Sequence, residues 1–255
     1  MAHDLTRPLI RKIGLSDLKE ALMKGLQDFN EKPSHLVFLG ILYPIATLVA
    51  AFAVTKSELL PLVFPLISGF ALLGPLAAIG LYELSRRREQ GLDVSWNHSF
   101  QIIWSPSIGA IMALSFLLFV IYLAWLGAAL GIYWMTFGNE MPKSAEDFAR
   151  QVFTTPAGWT LIVAGCGVGF LFAVVVLAIS AVSFPMLLDR PVDARTAIRT
   201  SVRALLANPG TMLAWGLVVA ILLLAGALPL FAGLAVVMPV LGHATWHLYR
   251  RIVEN

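Results

Sequence analysis

Long apolar runs alternate along this chain with shorter segments in which apolar and charged positions recur at helical spacing. Six runs are long enough to matter: 36–54, 60–82, 107–137, 158–184, 211–228 and 230–249. A helix needs about 20 mostly apolar residues to cross roughly 30 Å of hydrocarbon, so each run predicts a transmembrane helix. The last two are separated only by a turn around Pro229, flanked by Gly226 and Gly233. Read as one helix they would be nearly twice the bilayer thickness, so a tight hairpin is expected.

The segments between the runs carry a second pattern. In the leader, Leu15, Leu18, Leu22, Leu26 and Phe29 recur at helical spacing, with Asp17, Glu20, Lys24 and Asp28 on other faces, and the segment ends at Lys32-Pro33-Ser34. Before the third run Trp96, Phe100, Ile103 and Trp104 repeat it, ending at Ser105-Pro106-Ser107. Before the fifth, Ile198, Val202, Leu205 and Leu206 lie opposite Arg195, Arg199 and Arg203, ending at Asn208-Pro209-Gly210. Each reads as an amphipathic helix in the membrane interface, stopped by a proline that biases the preceding residue away from helical angles. The even runs echo one another. Pro75 precedes Tyr82, Leu84, Arg86 and Arg87 at the offsets by which Pro239 precedes Trp246, Leu248, Arg250 and Arg251. The expected architecture is all-α and polytopic: six transmembrane helices as three hairpins, each preceded by a cytoplasmic interfacial helix, an internal threefold repeat. Residues 1–35 form the leader and 36–255 a single transmembrane domain.

Composition supports the membrane assignment. Of 255 residues 58% are hydrophobic and 13% charged, against about 25% charged in a soluble domain, and the mean hydropathy is +0.81. Fifteen of the 18 lysines and arginines fall in the leader, after runs two and four, or in the tail, and only Lys56, Lys143 and Arg150 lie on the other side. This bias places both termini in the cytoplasm. The leader is too charged for a secretory signal peptide, so it is expected to stay on the mature chain. Tyr133, Trp134 and Trp159 at the outer ends, and Trp96, Trp104, Trp246 and Tyr249 at the inner ends, suit interfacial aromatic belts. Between runs three and four, Pro142, an N-cap at Ser144 and Asp147 three residues later predict a short outer helix with Phe148 and Val152 on one face, a lid on the bundle. The single cysteine, Cys166, excludes an internal disulfide and a thiolate zinc module. A net charge of +3 does not suggest a nucleic-acid partner.

Candidate chemistry is sparse. The segments 59–81, 107–137, 158–184 and 209–242 contain no Asp, Glu, Lys, Arg or His, where a proton relay or ion-coupled transporter would place one. His243 and His247 share a face of run six, at a depth where a haem or metal ligand is conceivable. They are the weak cofactor-binding candidates, and bonds to a backbone carbonyl or a carboxylate such as Glu83 are the expected alternative. No metal site, cofactor or catalytic residue is assigned. Gly127 with Gly131, and Gly165 with Gly169, make small-xxx-small pairs that predict helix packing between spans three and four, or onto another subunit. The stripe of Arg195, Arg199 and Arg203, with Arg86, Arg87 and Arg88, suggests contact with anionic lipid headgroups or an acidic partner surface. Pro44, Pro65, Pro75 and Pro239 should bend the spans.

The strings GPLAAIGLYELSRRREQG (Gly74–Gly91) and SFPMLLDRPVDARTAIRTSVRALLANP (Ser183–Pro209) resemble the integral-membrane family called domain of unknown function 2189. The resemblance implies a bacterial inner-membrane protein with several spans and brings no catalytic positions. The expected function is that of a non-catalytic accessory or scaffold subunit in a larger inner-membrane assembly, a respiratory one being a candidate. Its partners would be membrane lipids, anionic ones included, and other membrane subunits. The rival is a transporter or channel for a lipid-like or apolar solute.

Overall fold

The computed structural model describes residues 8–31, 60–95, 104–229 and 231–254, the side chain of Phe70 apart. Among these residues all regular structure is helical except an isolated antiparallel bridge between Ile10 and Val253. Run 36–54, the connector with Trp96, Phe100 and Ile103, and His35, His98, Pro44 and Lys56 lie outside them.

The leader forms α1 (Leu15–Glu31), entered where Gly14 N donates to Asp17 Oδ2 at 2.8 Å. The second run is α2 (Leu60–Phe70), a 3₁₀ turn at Ala71–Leu73, α3 (Gly74–Ala77) and α4 (Ile79–Glu89). The interruption sits where Pro75, lacking an N–H, cannot bond the carbonyl of Ala71. Next come α5 (Ile108–Phe137), α6 (Ala145–Thr154), α7 (Pro156–Ser180) and α8 (Ser183–Asp189), then α9 (Ala194–Ala207), α10 (Pro209–Ala227) and α11 (Leu234–Ile252). Three of these helices begin where capping side chains stand. Ser144 Oγ accepts from Asp147 N at 3.1 Å, Thr155 Oγ1 from Gly158 N at 3.0 Å and Asp193 Oδ1 from Thr196 N at 3.0 Å, each satisfying an otherwise unpaired first-turn donor. As expected, α6 lies against the bundle, Phe148 meeting the rings of Tyr133 and Phe137 at 6.1 and 6.3 Å.

Among the described residues four helical stretches are long and apolar enough to cross a membrane: Leu60–Glu89, Ile108–Phe137, Pro156–Asp189 and Pro209–Ala227. α11 is not among them, because His243, His247, Arg250 and Arg251 interrupt the apolar character of its second half. α10 and α11 nonetheless lie side by side, joined by a tight connection in which Gly226 and Gly233 touch. A Cβ on Gly233 would stand 2.8 Å from the Gly226 Cα. α5 packs between α2 and α7, while α11 is flanked by α1, α4 and α10. Leu114, Leu118, Phe184, Met186, Met212, Trp215 and Trp246 are fully buried in the shared core. Outward faces are apolar, with Phe116, Leu123, Phe170, Leu171, Leu217 and Leu224 exposed. On helices of this length such faces contact lipid.

Two inner-end aromatics depart from the belt expectation. Trp246 and Tyr249 are core residues, about 1% exposed or less. Their polar atoms bond protein, Trp246 Nε1 donating to Glu89 at 3.0 Å and Tyr249 Oη to Asp189 at 2.6 Å. An amphipathic ring at a helix end looks the same in sequence whether its polar edge meets headgroups or a carboxylate. Tyr133 is likewise buried, donating to the carbonyl of Glu140, whereas Trp104, Trp134 and Trp159 are exposed.

Candidate functional site

The described residues concentrate their buried charge at one end of the bundle, where α1 lies along α11. The contact face of α1 is Leu18, Ala21, Gly25, Asp28 and Phe29, while Leu15, Met23 and Leu26 are exposed. The apolar stripe expected of the leader is thus divided between a packed face and an outward one. Gly25 sets the approach: a Cβ there would lie 2.6 Å from Ala244 N and 2.7 Å from both Ala244 Cβ and Val240 O.

One turn beyond Gly25, Asp28 reaches between α4 and α11 and is only 7% exposed. Its Oδ2 accepts from Ser85 Oγ at 2.5 Å and from His247 Nε2 at 2.9 Å, and its Oδ1 accepts from Arg88 Nη1 at 2.7 Å. Arg88 also pairs with Glu31. Ser85 Oγ is 2.7 Å from His243 Nδ1. Since the serine proton goes to the carboxylate, His243 must donate from Nδ1, which leaves Nε2 as a lone pair. That Nε2 is buried with no hydrogen-bond partner among the described residues.

The expectation that His243 and His247 share a face holds, and both turn toward Asp28, at 3.8 and 2.9 Å. The carboxylate is not Glu83, which instead pairs with Arg86 at 2.7 Å and Arg87 at 3.7 Å. Serine, histidine and aspartate meet here, but in the wrong order for a nucleophile. The hydroxyl donates its hydrogen bond directly to the carboxylate and accepts one from the imidazole, so it is held rather than activated. His243 Nε2 is a ring nitrogen of the kind that ligates a metal or haem iron, here buried near the Leu81 backbone. The ring is only 2% exposed, and no group of three or more His, Cys, Asp or Glu suited to a metal ion occurs among the described residues. A cavity of about 110 Å³ opens beside the cluster, lined by Asp28, Glu31, Ser85, Arg88 and His243.

A second polar layer lies nearer the chain termini. Arg250 bridges Glu89 at 3.0 Å and Asp189 at 3.3 Å, Arg251 pairs with Asp17 and Glu20, and Arg11 meets Glu254 at 3.0 Å. Asn208, at the break between α9 and α10, accepts from Ile13 N at 2.9 Å and donates to Arg11 O at 3.0 Å, while Thr211 Oγ1 donates to Ile13 O. The proline-stopped junction expected to turn the chain into the bilayer is therefore also the seat of the leader.

Burial opposes the charge on Asp28, but hydrogen bonds from His247 and Ser85 and the field of His247 outweigh it and hold the carboxyl below its ordinary 3.8. The folded pKa is depressed, so this contribution to docking is complete above the unfolded value and is lost as pH falls through the folded one. A nitroxide on exposed Met23 should be immobile at neutral pH and gain mobility below about pH 4. In Asp28→Asn the label should already be mobile at neutral pH.

The remaining candidates are dispersed. Arg195, Arg199 and Arg203 are exposed on α9, whereas Arg86 bonds Glu83 and Arg87 Nε donates to the Asp93 carbonyl at 3.0 Å. The glycine pairs do not form a seam between α5 and α7. A Cβ added at Gly127, Gly131 or Gly165 would meet nothing within 4 Å, and only at Gly169 would it make contact, 3.2 Å from the Trp125 ring. The close approach on α5 comes instead from Gly69 of α2, against Tyr122 and Trp125, with Trp125 Nε1 donating to Pro65 O at 3.0 Å. Cys166 is exposed.

No curated protein and no solved structure matches the chain. A family model does, over residues 63–189, which takes in α4 with Ser85 and Arg88 and runs to Asp189 at the end of α8. Through that segment the chain belongs to the family described as a predicted integral membrane protein, DUF2189.

Proposed function

We propose that this integral membrane protein is a non-catalytic scaffold or accessory subunit that packs against another membrane protein in a larger assembly. The observation that carries the reading is the outward placement of the glycines. Gly127, Gly131 and Gly165 lie on helices whose apolar surfaces are mostly uncovered, and only 6% of the apolar window of Pro156–Asp189 is buried. With hydrocarbon on every side, helices associate through close packing, and small residues allow it. The buried charge at the other end suits a structural clamp.

The reading extends to topology. In this reading the charged end faces the cytoplasm of an inner-membrane protein, and α11 is a further crossing paired with α10. One copy of an interfacial helix plus hairpin is supported by α9–α11. Tyr82 and Leu84 are buried like Trp246 and Leu248 at the same offsets from their prolines. A solute pathway draws less support, since the carbonyl of Pro65 on α2 is occupied by Trp125.

Gentle extraction with affinity capture and native mass measurement tests the function. The expected result is a stoichiometric complex with a second membrane protein, lost in Gly131→Leu with Gly165→Leu, while the thermal stability of the isolated chain is unchanged. A solitary chain, or a complex indifferent to those substitutions, would overturn the reading.

A further inference from the structure

We infer that α9 is a reader of anionic phospholipid headgroups, positioned by its junction with α10. The packed face of α9 is made of small residues, Ala197, Thr200, Ser201 and Ala204, which seat the helix against the bundle. The opposite face carries Arg195, Arg199 and Arg203 at one-turn intervals, all exposed, and Leu206, 69% exposed. None of the three guanidinium groups makes an ion pair or hydrogen bond with a described residue. The carboxylate closest in sequence, Asp193, feels the field of Arg195, but its oxygen is engaged in capping Thr196.

Arg86, Arg87 and Arg88 are different. They lie in comparable sequence surroundings, yet each is engaged by Glu83, the Asp93 carbonyl or Asp28. Ordinary topological bias accounts for basic residues at this end, but not for one set being internally neutralised while the other is presented.

The occupant follows from what adjoins the stripe. Leu206 is followed across the Asn208 break by Leu213, Leu217, Ile221 and Leu224, exposed at helical spacing down α10, a helix long and apolar enough to cross the bilayer. The basic face thus begins where a lipid-facing apolar stripe ends. Arginine stems lie along such a boundary while their heads reach phosphate oxygens, with donor geometry suited to a phosphodiester. An acidic protein would not require the arginines to continue the hydrocarbon-facing stripe. The inference is independent of the subunit proposal, which concerns α5 and α7.

The test is the ratio of phosphatidylglycerol to phosphatidylcholine retained by the full chain after purification from bilayers holding equal amounts of both. One arginine at an anionic surface favours the charged lipid by about fivefold. Wild type should therefore enrich phosphatidylglycerol several-fold, less at 1 M salt, and Arg195→Gln, Arg199→Gln, Arg203→Gln together should bring the ratio near one. Arg199→Gln alone should give an intermediate ratio and guards against a folding defect in the triple variant. An undiminished preference in both variants overturns the inference. So does a wild-type ratio of one, which would hand the stripe to an acidic protein.

Discussion

Replacing Asp28 by Asn should release α1 from the bundle, at a cost of about 3 kcal/mol. The side chain joins three donors from two other helices, and removing one partner of a buried ion pair leaves the rest uncompensated, a loss of about 3–5 kcal/mol. The low end applies because Arg88, 26% exposed, retains Glu31. Hydrogen exchange in a bilayer mimetic should show loss of protection across Leu15–Glu31 and at the Ile10–Val253 bridge. Protection of Ile108–Phe137, which is held by α2 and α7, should persist. Replacing Glu20, whose ion pair with Arg251 is half exposed, should change little by comparison.

The next largest effect should come from one methyl group. Gly25→Ala makes α1 a better helix by roughly 1 kcal/mol. Its Cβ would nevertheless stand 2.6 to 2.7 Å from the backbone of Ala244 and Val240, atoms that cannot move without shifting α11. Overpacking of this kind costs about 1–3 kcal/mol, and here it should exceed the gain in propensity. Leader protection should fall and trypsin should cut at Lys19 or Lys24. Gly127→Ala, which meets nothing within 4 Å, isolates the propensity effect and should not destabilise the purified chain. If the two substitutions behave alike, Gly25 is not a contact point.

The apolar runs were readable because hydrocarbon imposes length and purity on whatever crosses it. α5, α7 and α10 begin and end within a few residues of where hydropathy places them. The leader was readable as a helix but not as to its buried side. Leu15, Leu18, Leu22, Leu26 and Phe29 suggest one apolar face, yet the packed side is chosen by Ala21 and Gly25, where the absence of bulk lets α11 approach. The histidine pair was visible from its spacing. Its partner was not, because Asp28 is more than 200 residues away and reads as an ordinary solvated charge. The available signal was its position, one turn after Gly25 and directly before buried Phe29. Trp246 and Tyr249 were ambiguous for the opposite reason, since lipid headgroups and the carboxylates of Glu89 and Asp189 satisfy the same polar edges.

The central claim is that the leader and the C-terminal helix meet at one end of the membrane bundle, where buried charge holds them. The most direct measurement is a disulfide between Ile10→Cys and Val253→Cys, with Cys166→Ser removing the native thiol. These residues form an antiparallel bridge, reinforced by Arg11 N donating to Ile252 O at 2.8 Å. Opposed residues in such a bridge have Cα atoms about 4.5–5.5 Å apart, within disulfide reach. In intact membranes under mild oxidant the account predicts near-complete closure, read as a mobility shift reversed by reductant, and slower closure when Asp28→Asn is added. Failure to close while both cysteines react freely with maleimide, or closure only between separate chains, would contradict it.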